Sequence, residues 1–404
     1  MSITWDNVMK FKIIDNPIIF DIGGFKGDWV KIAMDYYKNP TIYVFEPVNK
    51  FYNEIVERWK GYPNVKVYNF GLSNQNREET ISIEGDSSSV FIKNGNTEKI
   101  KLRDIREFLF EEQIFNVHLA KINIEGEEYR LMEYLTSHPE LNIFNNYLIQ
   151  FHKFIDNYSE RRNNIVQNLS KYYNRVFNYE FIFEGWEMKK IEKINCFGDS
   201  HISIFANTEK LIKENISHTH ESFNVFRFGP YLAYNLLSKE NVLKELKKIN
   251  NYEKILICFG EIDCRSQVKR ISEKTGNSYD EIINDIVEKY FYVIDKIGNK
   301  NIILFSVTPE LKEKPHWYYY KDHPEVFDCP KGTLIERQNF KKYYNKRVEE
   351  ESLKRGFEYI SIFDYIYSDG VTKEIYFLDD IHLNPKKVMY LIKRSLLKSG
   401  LNKK

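Results

Sequence analysis

Short apolar runs, rich in β-branched and aromatic residues, alternate along this chain with stretches of helical periodicity. Such alternation is typical of α/β domains built on a parallel sheet, because a helix must carry the chain from the end of one strand to the start of the next. In the first half, the predicted strands are residues 18–23, 41–46, 65–70, 119–124 and 147–152, and the predicted helices include 28–37 and 49–60.

A second series of the same kind begins near the middle of the chain. Its predicted strands are residues 194–198, 255–259, 301–307 and 358–362, and its predicted helices include 279–297, 340–355 and 385–397. The two series meet near Lys190, within a segment (181–194) predicted to be almost continuous strand, and no Gly/Ser-rich or Pro-rich tether separates them. With 404 residues and roughly 100–200 residues per domain, the chain is predicted to form two doubly wound α/β domains, residues 1–190 and 191–404.

The charges of the chain are balanced, with 59 Lys and Arg against 58 Asp and Glu. No overall field attracts a polyanion, so we expect no nucleic-acid partner. The first residues lack a basic stretch followed by an apolar one, and no apolar run approaches the roughly 18 residues of a membrane-spanning helix. We therefore expect a cytoplasmic protein without a transmembrane segment.

Residues 310–339 interrupt the α/β rhythm with three prolines, one glycine and the aromatic cluster HWYYYKDH. A connection of this length inside a compact domain is typical of a functional loop or lid. Its aromatic side chains either stack on a sugar face or cover their own hydrophobic cluster, and the sequence favours neither interpretation.

The stretch IIFDIGGFKGDW predicts a strand, a glycine-rich turn and a helix. This arrangement brings backbone N–H groups and a helix N-terminus close to a bound ligand. Phe25 stands where a dinucleotide fingerprint requires glycine, so a different ligand is expected. The candidate cofactor-binding residues of the turn are Asp21, Gly23, Gly24, Gly27 and Asp28.

Two neighbouring strand ends complete a predicted nucleoside site. The second predicted strand ends in VFEP, which places Glu46 where a carboxylate can bind both ribose hydroxyls. The third ends in NFGLSN, so Asn69 and Gly71 would border an adenine. Asp21 lies where it could help to bind an amino group. The set therefore suits a nucleoside whose other end is a zwitterion.

The motifs DIGGFKGDW, VFEP, NVKVYNFGLSN, LAKINIEGEEYRLM and LIQFH resemble, in this order and spacing, those of the FkbM-type methyltransferases, over residues 15–190. The resemblance implies a Rossmann-like class I methyltransferase fold, S-adenosyl-L-methionine as the cofactor, and methylation of a hydroxyl group, often on a sugar. Asn123 departs from the family, whose members commonly carry aspartate there, so the role of this position stays open.

Methyl transfer from a sulfonium is an in-line displacement that needs alignment and removal of the hydroxyl proton, and it requires no metal. Asn123, Glu125 and His152 end or follow predicted strands and should reach the ligand crevice. His152 is the predicted general base, because its unperturbed pKa lies close to neutral pH. Glu125 is the alternative base or a carboxylate that positions the substrate, and the competing interpretation of His152 is a structural histidine that caps its strand.

The second half carries a serine, a histidine and a carboxylate at opposite ends of one predicted domain. GDSH follows the strand INCF and places Ser200 at a strand-to-helix turn, and LDDIHLN places Asp379 three residues before His382. Residues of these types act as nucleophile, base and orienting group in acyl transfer.

These motifs, with RFGPYLAY and GEID between them, resemble the SGNH (GDSL-type) hydrolases over residues 192–400. The resemblance implies a flavodoxin-like fold, the triad roles just given, a backbone oxyanion donor at Gly229, and an asparagine side-chain amide as a further donor in the third block, which begins here with Gly260. That block departs from the usual G-x-N-D, since Ile262 takes the asparagine position, and Arg265 is the candidate substitute. Losing one such donor costs on the order of 10²–10³ in turnover, so a fold kept only for glycan binding or for contact with its neighbour stays open.

Together these motifs predict an S-adenosylmethionine-dependent O-methyltransferase that acts on a sugar hydroxyl of a cell-surface glycan or its precursor, such as a nucleotide-sugar or a lipid-linked saccharide. The fused domain would remove or transfer acyl groups on the same glycan. Two alternatives stay open. One is a carbohydrate esterase or acyltransferase whose first domain binds a nucleotide without catalysis, and the other is a non-catalytic glycan-binding scaffold.

Overall fold

The computed structural model describes residues 4–84, 87–89, 96–138, 141, 143–208, 213–214, 217–220, 222–250, 252–299, 301–313 and 329–401. The chain divides into two compact units, Met1–Lys190 and Ile191–Lys404. The aromatic cluster predicted at residues 316–323 lies outside the described residues. Within the described ranges, no helix combines the length and the apolar character that a membrane crossing requires.

The first unit alternates strands and helices in the described residues. The strands are β1 (Ile18–Ile22), β2 (Thr41–Phe45), β3 (Val65–Tyr68), β4 (Gly71–Ser73), β5 (Arg77–Glu84), β6 (Ser87–Ser89), β7 (Asn96–Asp104), β8 (Leu119–Ile122), β9 (Asn146–Ile149), β10 (Tyr173–Tyr179) and β11 (Phe183–Met188). The helices are α1 (Trp5–Val8), α2 (Asp28–Tyr36), α3 (Asn49–Trp59), α4 (Ile105–Glu111), α5 (Glu128–Ser137) and α6 (Tyr158–Tyr172).

The main sheet of this unit has the strand order β10-β11-β9-β8-β1-β2-β3. The five strands from β9 to β3 are parallel, whereas β11 runs antiparallel to both of its neighbours. The parallel strands follow the order 3-2-1-4-5 of Rossmann-type sheets. The predicted Rossmann-like fold is therefore confirmed. In such sheets ligands bind where the strand order reverses, here at the carboxyl ends of β1 and β8.

A second sheet of the first unit, with the order β4-β7-β5-β6, was not predicted from the sequence. Its long strands are rich in charged residues, and only their inward positions are apolar. Ile81, Ile100 and Leu102 form a small buried cluster with Val48 and Phe51. This inserted sheet therefore packs beside the carboxyl end of β2.

The second unit has the same alternation. Its strands are β12 (Ile194–Gly198), β13 (Ser217–His220), β14 (Phe223–Arg227), β15 (Lys254–Cys258), β16 (Ile302–Phe305), β17 (Glu358–Ile360), β18 (Tyr367–Ser368) and β19 (Val371–Thr372). Its α-helices are α7 (Glu240–Leu246), α8 (Val268–Thr275), α9 (Tyr279–Asp295), α10 (Leu334–Lys354), α11 (Phe363–Ile366) and α12 (Pro385–Leu401), and short 3₁₀ or π segments span Ser200–Ala206, Leu236–Ser238, Asp263–Gln267 and Glu374–Tyr376.

The main sheet of the second unit has the order β13-β14-β12-β15-β16-β17. All of its strands are parallel except the edge strand β13. The parallel strands follow the flavodoxin-like order 2-1-3-4-5, whose ligand crevice lies between the first and third strands. The flavodoxin-like prediction is confirmed, and the crevice is expected at the carboxyl ends of β12 and β15.

Several predicted boundaries differ from the structure by a few residues, and two of these differences have a clear local basis. The apolar stretch at residues 181–194 is divided into β11 and the start of β12, with residues 189–193 outside any strand. Helix α10 begins at Leu334 and not at residue 340, because Thr333 and Glu336 form a reciprocal capping box at its N-terminus.

Candidate active sites in the two units

A cleft opens in the first unit at the carboxyl ends of β1 and β8, where the strand order reverses. The turn after β1 contacts β8 directly at Gly23, which has a φ of +88°. A Cβ at Gly23 would lie 1.9 Å from the carbonyl oxygen of Asn123, so only glycine permits this approach. The cleft is bordered by the polar residues Glu46, Asn123, Glu125 and Glu127 and by apolar residues that include Phe25, Val48, Phe51 and Leu102.

Glu46 lies at the end of β2, and its side chain is buried in the wall of the cleft. One carboxylate oxygen accepts a hydrogen bond from the Phe25 N–H (2.8 Å) and the other from the Val48 N–H (2.9 Å). Burial raises the pKa of Glu46 to about 7, and the two N–H groups act in the opposite direction. A carboxylate has about four acceptor positions, so Glu46 keeps capacity for further donors.

Asp21 does not border the cleft. It is fully buried, and its Oδ1 lies 2.8 Å from the ammonium group of Lys121, its register partner on β8. The same ammonium donates to the carbonyl oxygen of Gly23 at 2.6 Å. Burial raises the pKa of Asp21, against the effect of Lys121. The Asp21–Lys121 pair therefore supports the glycine turn through the Gly23 carbonyl. This position of Asp21 differs from the predicted contact with a ligand.

The other predicted cofactor residues have different positions. Gly71 borders the cleft, but Asp28 is at the surface, where it pairs with Arg58 at 2.6 Å. Gly24 and Gly27 shape the turn, since a Cβ on Gly24 would lie 2.4 Å from Val44 and Gly27 has a φ of +75°. The side chain of Asn69 contacts that of Asn49. Of these five residues, Gly71 alone borders the cleft within the described part of the chain.

Asn123, Glu125 and His152 do come to the same edge of the sheet. The Asn123 Oδ1 atom is buried and has no hydrogen-bond partner among the described residues. Glu125, with a φ of +50°, borders the cleft, and its Oε2 lies 3.4 Å from the Nε2 of His152. These three side chains place an acceptor oxygen, a carboxylate and an imidazole together.

Glu128, which the sequence analysis did not single out, orients this group. Its fully buried carboxylate accepts hydrogen bonds from the N–H of Gly126 (2.7 Å) and from the N–H of His152 (2.9 Å). It also lies 3.0 Å from the Nδ1 of His152. Because a carboxylate accepts, Nδ1 carries a proton, and Nε2 is the nitrogen that faces Glu125.

The two carboxylates change the protonation state of His152. Burial lowers its pKa, but the hydrogen bonds and negative charges of Glu125 and Glu128 outweigh burial and raise the pKa to about 9. His152 is thus an imidazolium at neutral pH and holds no lone pair for a substrate proton. The near-neutral pKa that makes His152 the predicted general base is therefore not found in this environment, and its role stays a prediction.

The second unit assembles the predicted serine, histidine and aspartate. Ser200 directly follows Asp199 at the end of β12, in the first turn of a 3₁₀ helix. Its Oγ lies 2.8 Å from the Nε2 of His382. The Nδ1 of His382 lies 2.8 Å from Asp379 Oδ2. This hydrogen-bonded chain is the arrangement by which a histidine takes the proton of a nucleophilic serine.

The charges of this triad suit that role. Burial would raise the pKa of Asp379, but His382 and the N–H groups of Ile381 and His382 hold it at about 2. Burial lowers the pKa of His382, and the neighbouring His201 lowers it further, while Asp379 acts in the opposite direction. His382 is therefore neutral and Asp379 ionised at pH 7.

The predicted oxyanion donors are not equivalent in the structure. Within the described residues, the N–H groups of Ser200 and Gly229 are not seen to donate a hydrogen bond. Gly260 has a φ of +114° and lies against the ring of Tyr344. Arg265 is buried, and its guanidinium lies 3.2 Å from Glu261. Ile262 is 3% exposed, so the position usual for asparagine is packed inside the protein.

Buried ionic residues next to the triad were also missed. His201 stacks on His382 with ring centroids 4.8 Å apart. Behind it lie Glu261, Lys341 and Glu310, each at most 1% exposed. The sequence offered one indication, the adjacent histidine in GDSH, whereas the lysine and glutamates come from segments far apart in the chain.

The sequence matches no family model and no curated protein. Solved structures resemble one half or the other. A putative rRNA-methylase from Clostridium thermocellum is 11% identical with a TM-score of 0.28, over 43% of this chain and 88% of that chain. Est24, a carbohydrate acetylesterase from Sinorhizobium meliloti, is 14% identical with a TM-score of 0.32, over 53% and 100%. An aryl esterase from M. smegmatis is 14% identical with a TM-score of 0.29, over 53% and 98%. Likenesses at these TM-scores do not show which reaction this chain catalyses. The evidence on function therefore lies in the geometry of the two sites.

Proposed function

We propose that the chain is a glycan-modifying enzyme with two active sites, of which the serine-dependent acyl-transfer site has the stronger geometric support. The observation that carries this proposal is the hydrogen-bonded chain from Ser200 through His382 to Asp379, with both links at 2.8 Å. Such a chain is the minimum machinery for forming an acyl-enzyme.

In the proposed reaction, the Ser200 Oγ attacks the ester carbonyl carbon while the His382 Nε2 takes the hydroxyl proton. The tetrahedral intermediate then expels the sugar oxygen, which receives that proton and leaves as an alcohol. Water or a second hydroxyl attacks the acyl-serine, again with His382 as the base, and regenerates Ser200. Asp379 stabilises the imidazolium formed in each half-reaction, and the Ser200 and Gly229 N–H groups are the proposed oxyanion donors.

The space beside Ser200 supports a short acyl group. The described residues enclose a cavity of about 10 Å³, bordered by side chains that include Ile204, Leu378 and Leu383. A volume of roughly 10–15 Å³ admits one water-sized group, which corresponds to the methyl of an acetyl ester. We therefore propose O-acetyl groups on sugars as the substrate.

Hydrolysis of acetylated sugars tests this proposal. We expect the wild-type protein to release acetate and Ser200→Ala to release none above background. Ser238→Ala is the matched control and should leave turnover unchanged, because the Ser238 hydroxyl donates to the local Asn235 carbonyl at 2.8 Å and takes no part in the triad. Turnover that survives in Ser200→Ala would contradict the assignment.

The first unit is proposed to be an S-adenosylmethionine-dependent O-methyltransferase. Support comes from the buried Glu46 carboxylate at the end of β2, which suits ribose hydroxyls, and from the unpartnered Asn123 Oδ1, which suits an amino group of the cofactor. Gly71 permits close approach at the same wall, where a Cβ would lie 2.6 Å from Leu102. When bound, the cofactor would supply an electrophilic methyl group.

Glu125 is the proposed proton acceptor for the substrate hydroxyl, with His152 as the group that orients it. The carboxylate borders the cleft, whereas the imidazole is held between Glu125 and Glu128 and carries the proton already. This proposal takes Glu125, the alternative base of the sequence analysis, in place of His152. A general base of this kind contributes about 10²–10⁴-fold in rate.

Calorimetric titration with S-adenosylhomocysteine tests the cofactor site. At about pH 8, above the pKa of about 7 of Glu46, we expect binding to wild type and weaker binding to Glu46→Ala, by roughly 1.5–3 kcal/mol, because the ribose hydroxyls lose a charged acceptor. Glu57→Ala, at the exposed face of α3, is the matched control and should bind as wild type does. A folded wild type that binds no nucleoside would leave the first unit without this function.

A glycan or its cytoplasmic precursor, such as a nucleotide-sugar or lipid-linked saccharide, is the proposed common substrate of both units. The alternatives predict different outcomes of the same two assays. Acetate release without nucleoside binding would favour an esterase or acyltransferase with a non-catalytic first unit. Neither activity, in a protein that still binds saccharide, would favour a glycan-binding scaffold.

A further inference from the structure

His201 lies directly behind the catalytic histidine of the acyl-transfer site. Its side chain is 4% exposed, and its ring is tilted 35° to that of His382 at a centroid distance of 4.8 Å. The backbone brings this contact about, because His201 follows Ser200 on the turn after β12. A charge on one ring therefore acts on the other over a short distance between two buried side chains.

A carboxylate faces each nitrogen of the His201 ring. Nδ1 lies 3.1 Å from Asp199 Oδ1, and the same oxygen accepts the His201 backbone N–H at 2.9 Å. Nε2 lies 3.8 Å from Glu261 Oε2. Both atoms of this second pair are buried, and His201 Nε2 has no hydrogen-bond partner within the described residues. A ring flanked by two carboxylates is stabilised as a cation.

Glu261 is itself held in place by buried cations. Its Oε1 lies 2.8 Å from the ammonium of Lys341 and its Oε2 lies 3.2 Å from Arg265. Lys341 also contacts Glu310 at 2.9 Å, and Glu310 contacts Arg337 at 2.9 Å. These partners keep Glu261 ionised, since they outweigh its burial and lower its pKa.

We infer that His201 is a positioning residue of the acyl-transfer site, held as a cation so that the stacked His382 stays uncharged and able to accept a proton. The inference rests on the acyl-transfer function proposed above. His201 touches no reacting atom in this scheme, because both of its nitrogens face carboxylates. It acts through the charge that it presents to His382.

The charged groups around the two rings favour a cationic His201 and a neutral His382. Asp199 and Glu261 favour the His201 cation, while burial and Arg265 oppose it, and the net effect raises the pKa of His201. Around His382, burial and His201 together outweigh Asp379 and Glu261, so that its pKa falls. The pKa of His201 is thus raised, and the pKa of His382 lowered, from the ordinary value of a histidine.

The pH dependence of Ser200 modification by a fluorophosphonate probe tests the inference. In wild type, the labelling rate should fall only below the ordinary histidine range. In His201→Asn, which can keep a hydrogen bond to Asp199, the midpoint of the acid limb should move upward by about one unit or more, because a charge 4.8 Å away is removed from a poorly solvated site. His218→Asn, on the edge strand β13 opposite Val225, is the matched control and should leave the midpoint unchanged.

Histidine titration by NMR on the full-length protein gives a second readout that needs neither activity nor a folded His201 variant. In wild type, the His382 resonance should titrate below pH 6.5 and that of His201 above it. The His382 resonance is assigned by its loss in His382→Asn. The reverse order, or an unshifted acid limb in folded His201→Asn, would overturn the inference. Absence of labelling in wild type with the expected titration order would instead overturn the acyl-transfer function.

Discussion

The strongest consequence of the first unit's geometry is that Glu125 sets the protonation of His152. Replacing Glu125 by glutamine removes one negative charge 3.4 Å from the imidazole nitrogen and leaves a side chain of the same size. The remaining partner, Glu128, still holds the other ring nitrogen at 3.0 Å. The variant therefore isolates the contribution of a single carboxylate.

The magnitude follows from distance and exposure. Two unit charges 3.4 Å apart interact by about 1 kcal/mol in water and by about 5 kcal/mol at an effective dielectric constant near 20. The Glu125 side chain is 27% exposed, so the interaction lies nearer the lower limit. At about 1.4 kcal/mol per pKa unit, we expect the pKa of His152 to fall from about 9 by about 1–2 units.

Histidine NMR titration measures this change, and loss of the resonance in His152→Asn assigns it. Glu57→Gln on the exposed face of α3 removes the same charge elsewhere and should leave the titration unchanged. A raised histidine pKa also stabilises the fold. This stabilisation is fully present below the unfolded value of about 6.5 and is lost as pH rises through about 9. A wild-type His152 that titrates near 6.5 would refute the reasoning and return the histidine to the role of general base.

Three further outcomes are expected in the second unit. Asp379→Asn should slow fluorophosphonate labelling by on the order of 10⁴. The neighbouring Asp380→Asn, whose buried carboxylate pairs with the exposed Lys312, should label at a rate within a few-fold of wild type, and equal rates for the two variants would contradict the triad. Arg337→Met should lower the free energy of unfolding in urea by about 3–5 kcal/mol, because Glu310 loses a buried partner at 2.9 Å, and a loss below about 1 kcal/mol would count against the network. Ile262→Asn should cost about 1–3 kcal/mol of stability through a buried amide and should not raise acetate release, since this position is 3% exposed; a rise would show that the amide reaches the oxyanion site.

Sequence patterns were sufficient where a functional residue lies at or just after the end of a strand. Because the carboxyl ends of parallel strands meet at one edge of a sheet, the sequence places Glu46 and Asn123 at one edge of the first sheet and Ser200 at the corresponding edge of the second. The approach of Asp379 and His382 to Ser200 was expected from the triad motifs and the resemblance to SGNH hydrolases, since neither residue follows a strand. For the strand-end residues, strand order and direction alone determine the position.

Residues whose partners depend on register could not be predicted. Lys121 meets Asp21 because they are register partners on β8 and β1, which no local pattern specifies. The raised pKa of His152 depends on Glu128, whose carboxylate reaches back from α5 to two different strand ends. The inserted sheet was not predicted because its strands carry charged residues at their exposed positions, and apolar residues such as Ile100 lie only on the inward side.

Mapping the covalent adduct of a fluorophosphonate on the intact protein shows directly whether Ser200 is an activated nucleophile. We expect one phosphonate per chain, located on the peptide that contains Ser200, and no adduct in His382→Ala, because the serine loses the base 2.8 Å from its hydroxyl. Phosphonate on a different residue, or no adduct on a folded wild-type protein, would contradict this expectation.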